Sequence, residues 1–155
     1  MTYTIKEVAE KTGLSIYTLR FYDKSGLLPF VARNTSGYRE FTDGDLQLLH
    51  TICCLKNTEM KIADIRTYIA YVMQGPGTVK QRQTLLAKHR EKVVAKQAQL
   101  AQNLQEIDYK LNMYRAPDAI TRVKDELRLA KADKRQAGLA DPYPGGPLDS
   151  STAPR

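Results

Sequence analysis

The sequence predicts a mainly α-helical protein with one small β-hairpin. Three observations predict it. Two short helices with capping signals flank a Gly-containing turn near the N-terminus. A strand-turn-strand pattern follows over Phe30–Phe41. Beyond Val79, apolar residues recur every seven positions through a run with no Gly or Pro as far as Arg115.

The first helix opens with a capping box. Thr4 stands three residues before Glu7, so hydroxyl and carboxylate can satisfy each other's backbone donors. Ile5, Val8 and Ala9 then share one face, and Gly13 stops the helix. Leu14 is an apolar turn residue, and Ser15 caps a second helix from Ile16 to about Ser25, closed by Gly26. Two short helices around a tight Gly-containing turn form a helix-turn-helix pattern; a plain helical hairpin is the alternative. Ile16 and Leu19, with Asp23 or Tyr22, are the expected core face of the second helix.

Leu27-Leu28-Pro29 forces an extended exit. Phe30–Phe41 reads as two short strands joined by Asn34-Thr35-Ser36-Gly37. Thr42, with Asp45 three residues on, caps a third helix whose buried stripe is Leu46, Leu49, Ile52 and Leu55. Ile62, Ile65, Tyr68, Ile69 and Val72 carry a fourth as far as Met73, and Gln74-Gly75-Pro76-Gly77 breaks it.

Val79, Leu86, Val93, Leu100, Ile107 and Tyr114 then fall seven residues apart. With these at d, the a positions are Gln83, Arg90, Gln97, Leu104 and Leu111: half polar at the start of the seam, apolar at its end. A helix this long cannot bury such a stripe on a small neighbouring domain, and a second copy of the chain is the simplest partner. The expected organisation is a first domain at 1–74, a linker at 75–78, a dimerisation helix at 79–115, and a charged segment with a disordered tail at 116–155. The tail reading rests on the Pro, Gly and Ser content after Gly138.

The 155 residues carry a net charge of +7. Residues 1–39 hold six Lys/Arg against three Asp/Glu, and 79–155 hold fifteen against nine. A polyanionic partner fits that field. No apolar run reaches the roughly 18–20 residues a membrane helix needs, and the first residues lack the layout of a secretion signal, so a cytoplasmic location is expected. Cys53 and Cys54 are adjacent on one helix, where bridging is strained, and are expected as thiols. His50 and His89 do not stand at metal-ligand spacing, so neither metal nor cofactor is expected. No nucleophile–base pairing or phosphate-cradling Gly loop points to an enzyme.

Thr18-Leu19-Arg20-Phe21-Tyr22-Asp23-Lys24-Ser25-Gly26-Leu27-Leu28-Pro29, followed by Ser36-Gly37-Tyr38-Arg39-Glu40-Phe41, resembles the signature of the MerR family of regulators. That signature runs roughly TLRYYE-x-x-GLL-P and then GYR-x-Y, with Phe21, Asp23 and Phe41 as conservative departures. The resemblance spans residues 3–74. It implies a winged helix-turn-helix DNA-binding domain whose hairpin is the wing, and a long coiled-coil helix that dimerises in antiparallel fashion. It also implies a mechanism: the dimer grips palindromic promoter duplex and kinks and underwinds it, so RNA polymerase is affected indirectly.

The second helix would enter the major groove. Arg20 is the best base or phosphate contact because its fork bonds two acceptors; its alternative is an ion pair with Asp23 or Glu7. Ser15, Tyr17, Thr18, Phe21 and Lys24 lie on the same element. The resemblance assigns Tyr22, Tyr38 and Arg39 to phosphates, and core packing is the alternative for both tyrosines. Arg33 and Asn34 sit in the wing, beside the expected backbone path.

Metal-sensing relatives carry cysteines late in the dimerisation helix, whereas here none follows Cys54. The 41 residues after Tyr114 are too few and too polar to enclose a drug-sized ligand. Ile52-Cys53-Cys54-Leu55-Lys56-Asn57 is similar to a short-tailed branch that answers aldehydes and nitrosative stress, with its cysteine at Cys54. Cys54 is expected to point away from the core, with Cys53 at the margin, and Lys56 or a partner's basic helix nearby is expected to favour a reactive thiolate. The alternatives are an inert thiol in a ligand-responsive or repressing regulator, and a DNA-architectural coiled coil that senses nothing. Helices at this position usually end in Gly; here Thr58-Glu59 stands instead, so Glu59 is expected to turn left-handed or the turn to differ.

Overall fold

The computed structural model describes residues 1–143. The elements are β1 (Thr2–Tyr3), α1 (Ile5–Thr12), α2 (Ile16–Lys24), β2 (Ala32–Arg33), β3 (Arg39–Thr42), α3 (Asp43–Asn57), α4 (Ile62–Met73), a 3₁₀ turn (Pro76–Thr78), α5 (Val79–Arg115) and α6 (Ala119–Gln136). Two compact units divide between Gln97 and Ala98.

Local chemistry sets the first helices. Thr4 and Glu7 form the complete capping box, and the backbone hydrogen bond from Thr4 is the main reason the Glu7 carboxyl is held below its usual range. Thr42 and Asp45 repeat the device at α3. Gly26 closes α2 at φ 77°, with the Leu27 N–H reaching back to the Tyr22 carbonyl at 3.0 Å.

The strands are shorter and later than the sequence pattern suggests. Phe30 and Val31 pack half-buried beside the core instead of pairing, and pairing begins at Ala32. A third strand escapes the pattern: β1 pairs with β3 antiparallel, Thr2 opposite Thr42 and Tyr3 opposite Phe41, in the order β1-β3-β2. Two residues are too few to show a period of two. The Tyr3 hydroxyl donates to Asp43 at 2.8 Å, which anchors β1 on the start of α3 and pushes the phenol pKa up.

One core gathers these elements: Val8, Leu19, Tyr22, Leu27, Leu28, Phe41, Leu49, Ile52, Leu55, Met60, Ile65 and Ile69. Leu85 and Leu86 of α5 pack against it. Leu86, expected in the dimer seam, is thus partly covered within its own unit.

The α3–α4 turn confirms the left-handed expectation. Glu59 sits at φ 67°, the Met60 N–H reaches the Leu55 carbonyl at 2.9 Å, and the Glu59 carboxylate pairs with Lys96. A side chain in this region costs about 1 kcal/mol or more.

The break at 74–78 is a built joint. Arg82 NH2 donates to the carbonyls of Tyr71 (3.1 Å), Val72 (3.4 Å) and Gly75 (2.7 Å), while its Nε donates to Thr78 Oγ (3.1 Å). The Thr78 hydroxyl in turn donates to the Tyr71 carbonyl at 2.5 Å. One guanidinium from α5 thus satisfies the carbonyls that α4 leaves open.

In the second unit, α6 forms where a charged helix was expected. Leu139 N–H closes onto the Lys134 carbonyl at 2.8 Å, and Lys131 reaches Asp141 at 2.9 Å, holding its carboxyl below the usual range. Of the segment expected as a disordered tail, residues 138–143 carry these two contacts, and the rest of it lies outside the described residues.

Arg82→Ala strands several carbonyls at the joint and is expected to lower the unfolding free energy by about 1–3 kcal/mol in urea titration. A change below about 0.5 kcal/mol means water replaces the guanidinium.

Candidate nucleic-acid interface

Helix α2 is half anchored and half offered. Leu19 is fully buried and Tyr22 is 6% exposed, whereas Ile16 is only half-buried. Between these anchors Tyr17 (80% exposed), Arg20, Phe21 and Lys24 project outward. Arg20 makes no ion pair among the described residues. Both acids that compete for it are engaged elsewhere, Glu7 by Thr4 and Asp23 by the hairpin. Its fork is open to an acceptor.

Tyr22, which the resemblance assigns to a phosphate, has its ring packed in the core. The ring is tilted 51° against Phe21 at 6.3 Å, and burial pushes its phenol pKa up. It falls one turn after Leu19, on the buried stripe. Ser15 is exposed, but its oxygen is already used: it accepts the Thr18 amide at 3.0 Å and lies 2.9 Å from the Thr18 hydroxyl. Both hydroxyls belong first to the cap.

Asp23 joins the hairpin to α2. Its Oδ2 accepts from Arg39 Nε at 3.0 Å, from Arg39 NH2, and from Arg33 NH2 at 3.3 Å. The same Arg33 donates NH1 to the Gly37 carbonyl at 2.9 Å, bracing the loop. One carboxylate thus gathers an arginine from each strand of the wing. Arg39 is largely covered by this, while Arg33 stays half exposed. Asn34 is spent on the turn, its Oδ1 accepting the Ser36 and Tyr38 amides at 3.0 Å. At the tip, Tyr38 is 73% exposed.

The structure thus gathers Tyr17, Arg20, Phe21 and Lys24 on α2, with Arg33 and Tyr38 on a wing braced to that helix, while Ser15, Thr18, Asn34, Tyr22 and Arg39 mainly build the frame. The carboxylate hub at Asp23 was missed as a site residue; the signal available was an acid on α2 with two arginines in the following hairpin.

The cysteines differ as expected. Cys54 is exposed; Cys53 is half-buried beside the core, and burial pushes its thiol pKa up. His50 Nε2 lies 3.7 Å from Cys54 Sγ, one turn earlier on α3. One turn later, Thr58 donates to the Cys54 carbonyl at 2.8 Å. Among the described residues no three His, Cys, Asp or Glu side chains are placed to hold a metal, and no helix is long and apolar enough to cross a membrane.

Along α5, Val79 is exposed and Val93 half-buried. Leu100, Leu104, Ile107, Leu111 and Tyr114 are all exposed, a continuous apolar stripe at heptad spacing. The neighbouring Met113, outside the stripe, is buried.

A capped two-helix reader with an offered arginine, braced to a wing, defines a helix-turn-helix DNA-binding protein. The model for the MerR HTH family regulatory protein matches residues 3–72, and the model described as MerR, DNA binding matches residues 46–109. An uncharacterized HTH-type transcriptional regulator of Haemophilus influenzae is 44% identical over 124 residues, 80% of this chain and 92% of that protein. The crystal structure of HiNmlR, a MerR family regulator lacking the sensor domain, bound to promoter DNA, matches with a TM-score of 0.73 and 44% identity over 81% of this chain and 99% of that one. A MerR family transcriptional regulator from Bacillus thuringiensis matches with a TM-score of 0.69 and 38% identity over 74% of this chain and all of that one. The chain belongs to the MerR family: it is a DNA-binding transcriptional regulator and not an enzyme.

Asp23→Ala leaves both wing arginines without their shared acceptor. Because the site is only partly covered, the expected loss of stability is about 1–2 kcal/mol. Amide exchange should quicken in residues 32–42 while α1 keeps its protection. Uniform acceleration across the domain would show that Asp23 is not a local brace.

Proposed function

We propose that this regulator binds a palindromic stretch of promoter duplex as a homodimer and acts by deforming that duplex, with the Cys54 thiol sensing a reactive electrophile. The observation that carries the DNA reading is the pairing of an ion-pair-free Arg20 on α2 with a wing tied to the same helix through Asp23. Arg20 reads a base edge or clamps a phosphate; Tyr17, Phe21 and Lys24 flank it, and Arg33 and Tyr38 meet the backbone beside the groove.

The homodimer reading is supported by the apolar stripe from Leu100 to Tyr114, which the chain's own described residues leave uncovered. Burying five such side chains against a second copy is favourable by several kcal/mol. HiNmlR's complex with promoter DNA supports the choice of duplex as partner. Two linked readers recognise two half-sites, so bending or untwisting the DNA between them changes how RNA polymerase meets the promoter without a contact to the enzyme.

For sensing, Cys54 is the thiol an electrophile reaches, since Cys53 is half-buried and held protonated by its surroundings. His50 beside Cys54 is placed to take up the thiol proton. Aldehydes and nitrosating agents are the chemical class that fits.

Two variants test the DNA reading together. Arg20→Ala is expected to weaken specific operator binding about tenfold or more with the dimer intact. Leu104→Lys with Leu111→Lys is expected to give a monomer in sedimentation and to abolish tight binding. Unchanged affinity in both ends the proposal. For sensing, Cys54→Ser is expected to abolish induction by formaldehyde or methylglyoxal while DNA binding persists, and Cys53→Ser to respond normally; an inducible Cys54→Ser regulator removes the thiol from the mechanism.

A further inference from the structure

A cavity of about 440 Å³ lies between the α3–α4 turn and the first half of α5. That volume suits a small organic ligand. Its lining holds four lysines, Lys61, Lys88, Lys92 and Lys96, against two carboxylates, Glu59 and Asp64, with His89 among them. Glu59 is already paired with Lys96. Among the described residues, Lys61, Lys88 and Lys92 make no ion pair. Lysines gathered around a concavity repel one another unless an anion sits between them.

We propose that this cavity binds a small polyanion, a metabolite that carries phosphate or several carboxylates. Lys88, His89, Lys92 and Lys96 recur at spacings that place them on one face of α5, directed at the turn. Each seam position follows this face by one residue, Val93 after Lys92, and so lies about 100° around the helix. Within that register His89 and Lys96 flank the seam, whereas Lys88 and Lys92 lie farther round the helix.

The wall is also joined to the helix that carries the thiol. His89 Nε2 lies 2.7 Å from the Thr58 hydroxyl, which donates to the Cys54 carbonyl at 2.8 Å. A polyanion that draws His89 toward itself pulls on the last turn of α3. The ligand therefore modulates the regulator at the turn next to Cys54, without reacting with it.

The test titrates the full-length protein with pyrophosphate and, separately, citrate, at ionic strength held constant with sodium chloride, and follows amide and imidazole resonances. Saturable shifts centred on Thr58, Glu59 and His89, with a Kd below about 1 mM for at least one probe, are expected. The tighter probe tells phosphate from carboxylate. Lys88→Gln with Lys92→Gln should weaken binding about tenfold, and the control pair Lys110→Gln with Lys124→Gln should not. Both lysines are exposed on a helix, and the single variants, measured separately, should each show part of the loss. No saturable shift with either probe, or equal affinity in the two double variants, overturns the site. Displacement of pyrophosphate by short duplex of arbitrary sequence would assign these lysines to the DNA backbone and overturn it as well.

Discussion

The joint at Arg82 is the constraint on which the first unit depends. A helix that ends at a Gln-Gly-Pro-Gly break exposes carbonyls, and a chain leaving such an end is ordinarily free to swing. Here a side chain from the next helix returns to those carbonyls, and Thr78 is buried beneath it. The start of α5 is thus fixed to the end of α4, and Leu85 and Leu86 complete the attachment through the core. The proposed deformation of DNA between two readers calls for this stiffness, because a loose joint would absorb the distortion.

The same economy governs the reading surface. Asp23 uses one carboxylate to gather an arginine from each wing strand. These charges are partly covered, so the pairing gives geometry more than stability. It also leaves Arg20 without an ion pair among the described residues. Six side chains are offered to DNA in the proposed complex, and five others that resemble contacts in sequence help hold them in place. Ser15 and Asn34 are the clearest cases, each spending its side-chain oxygen on backbone amides.

The region around Cys54 combines an exposed thiol, a neighbouring imidazole and a strained turn at Glu59. The strain is held by the Schellman-like closure and by Lys96. The helix that bears the thiol therefore ends in a turn held both by its own backbone and by His89 and Lys96 of α5.

Much of this was legible in the residues, because the signals are local. Caps at Thr4, Ser15 and Thr42, the stop at Gly26, the left-handed Glu59, the long uninterrupted helix and the outward Cys54 all follow from hydrogen bonding and periodicity within a few positions. The tertiary structure decided what depends on residues far apart in the chain. It placed the Tyr22 ring in the core, paired β1 with β3 across 40 residues, joined Asp23 to Arg33 and Arg39, packed Leu86 partly against the core, and brought Lys88 and Lys92 opposite Glu59 to frame a cavity. Spacing along a helix says which residues share a face; only the packed fold says which face another element covers.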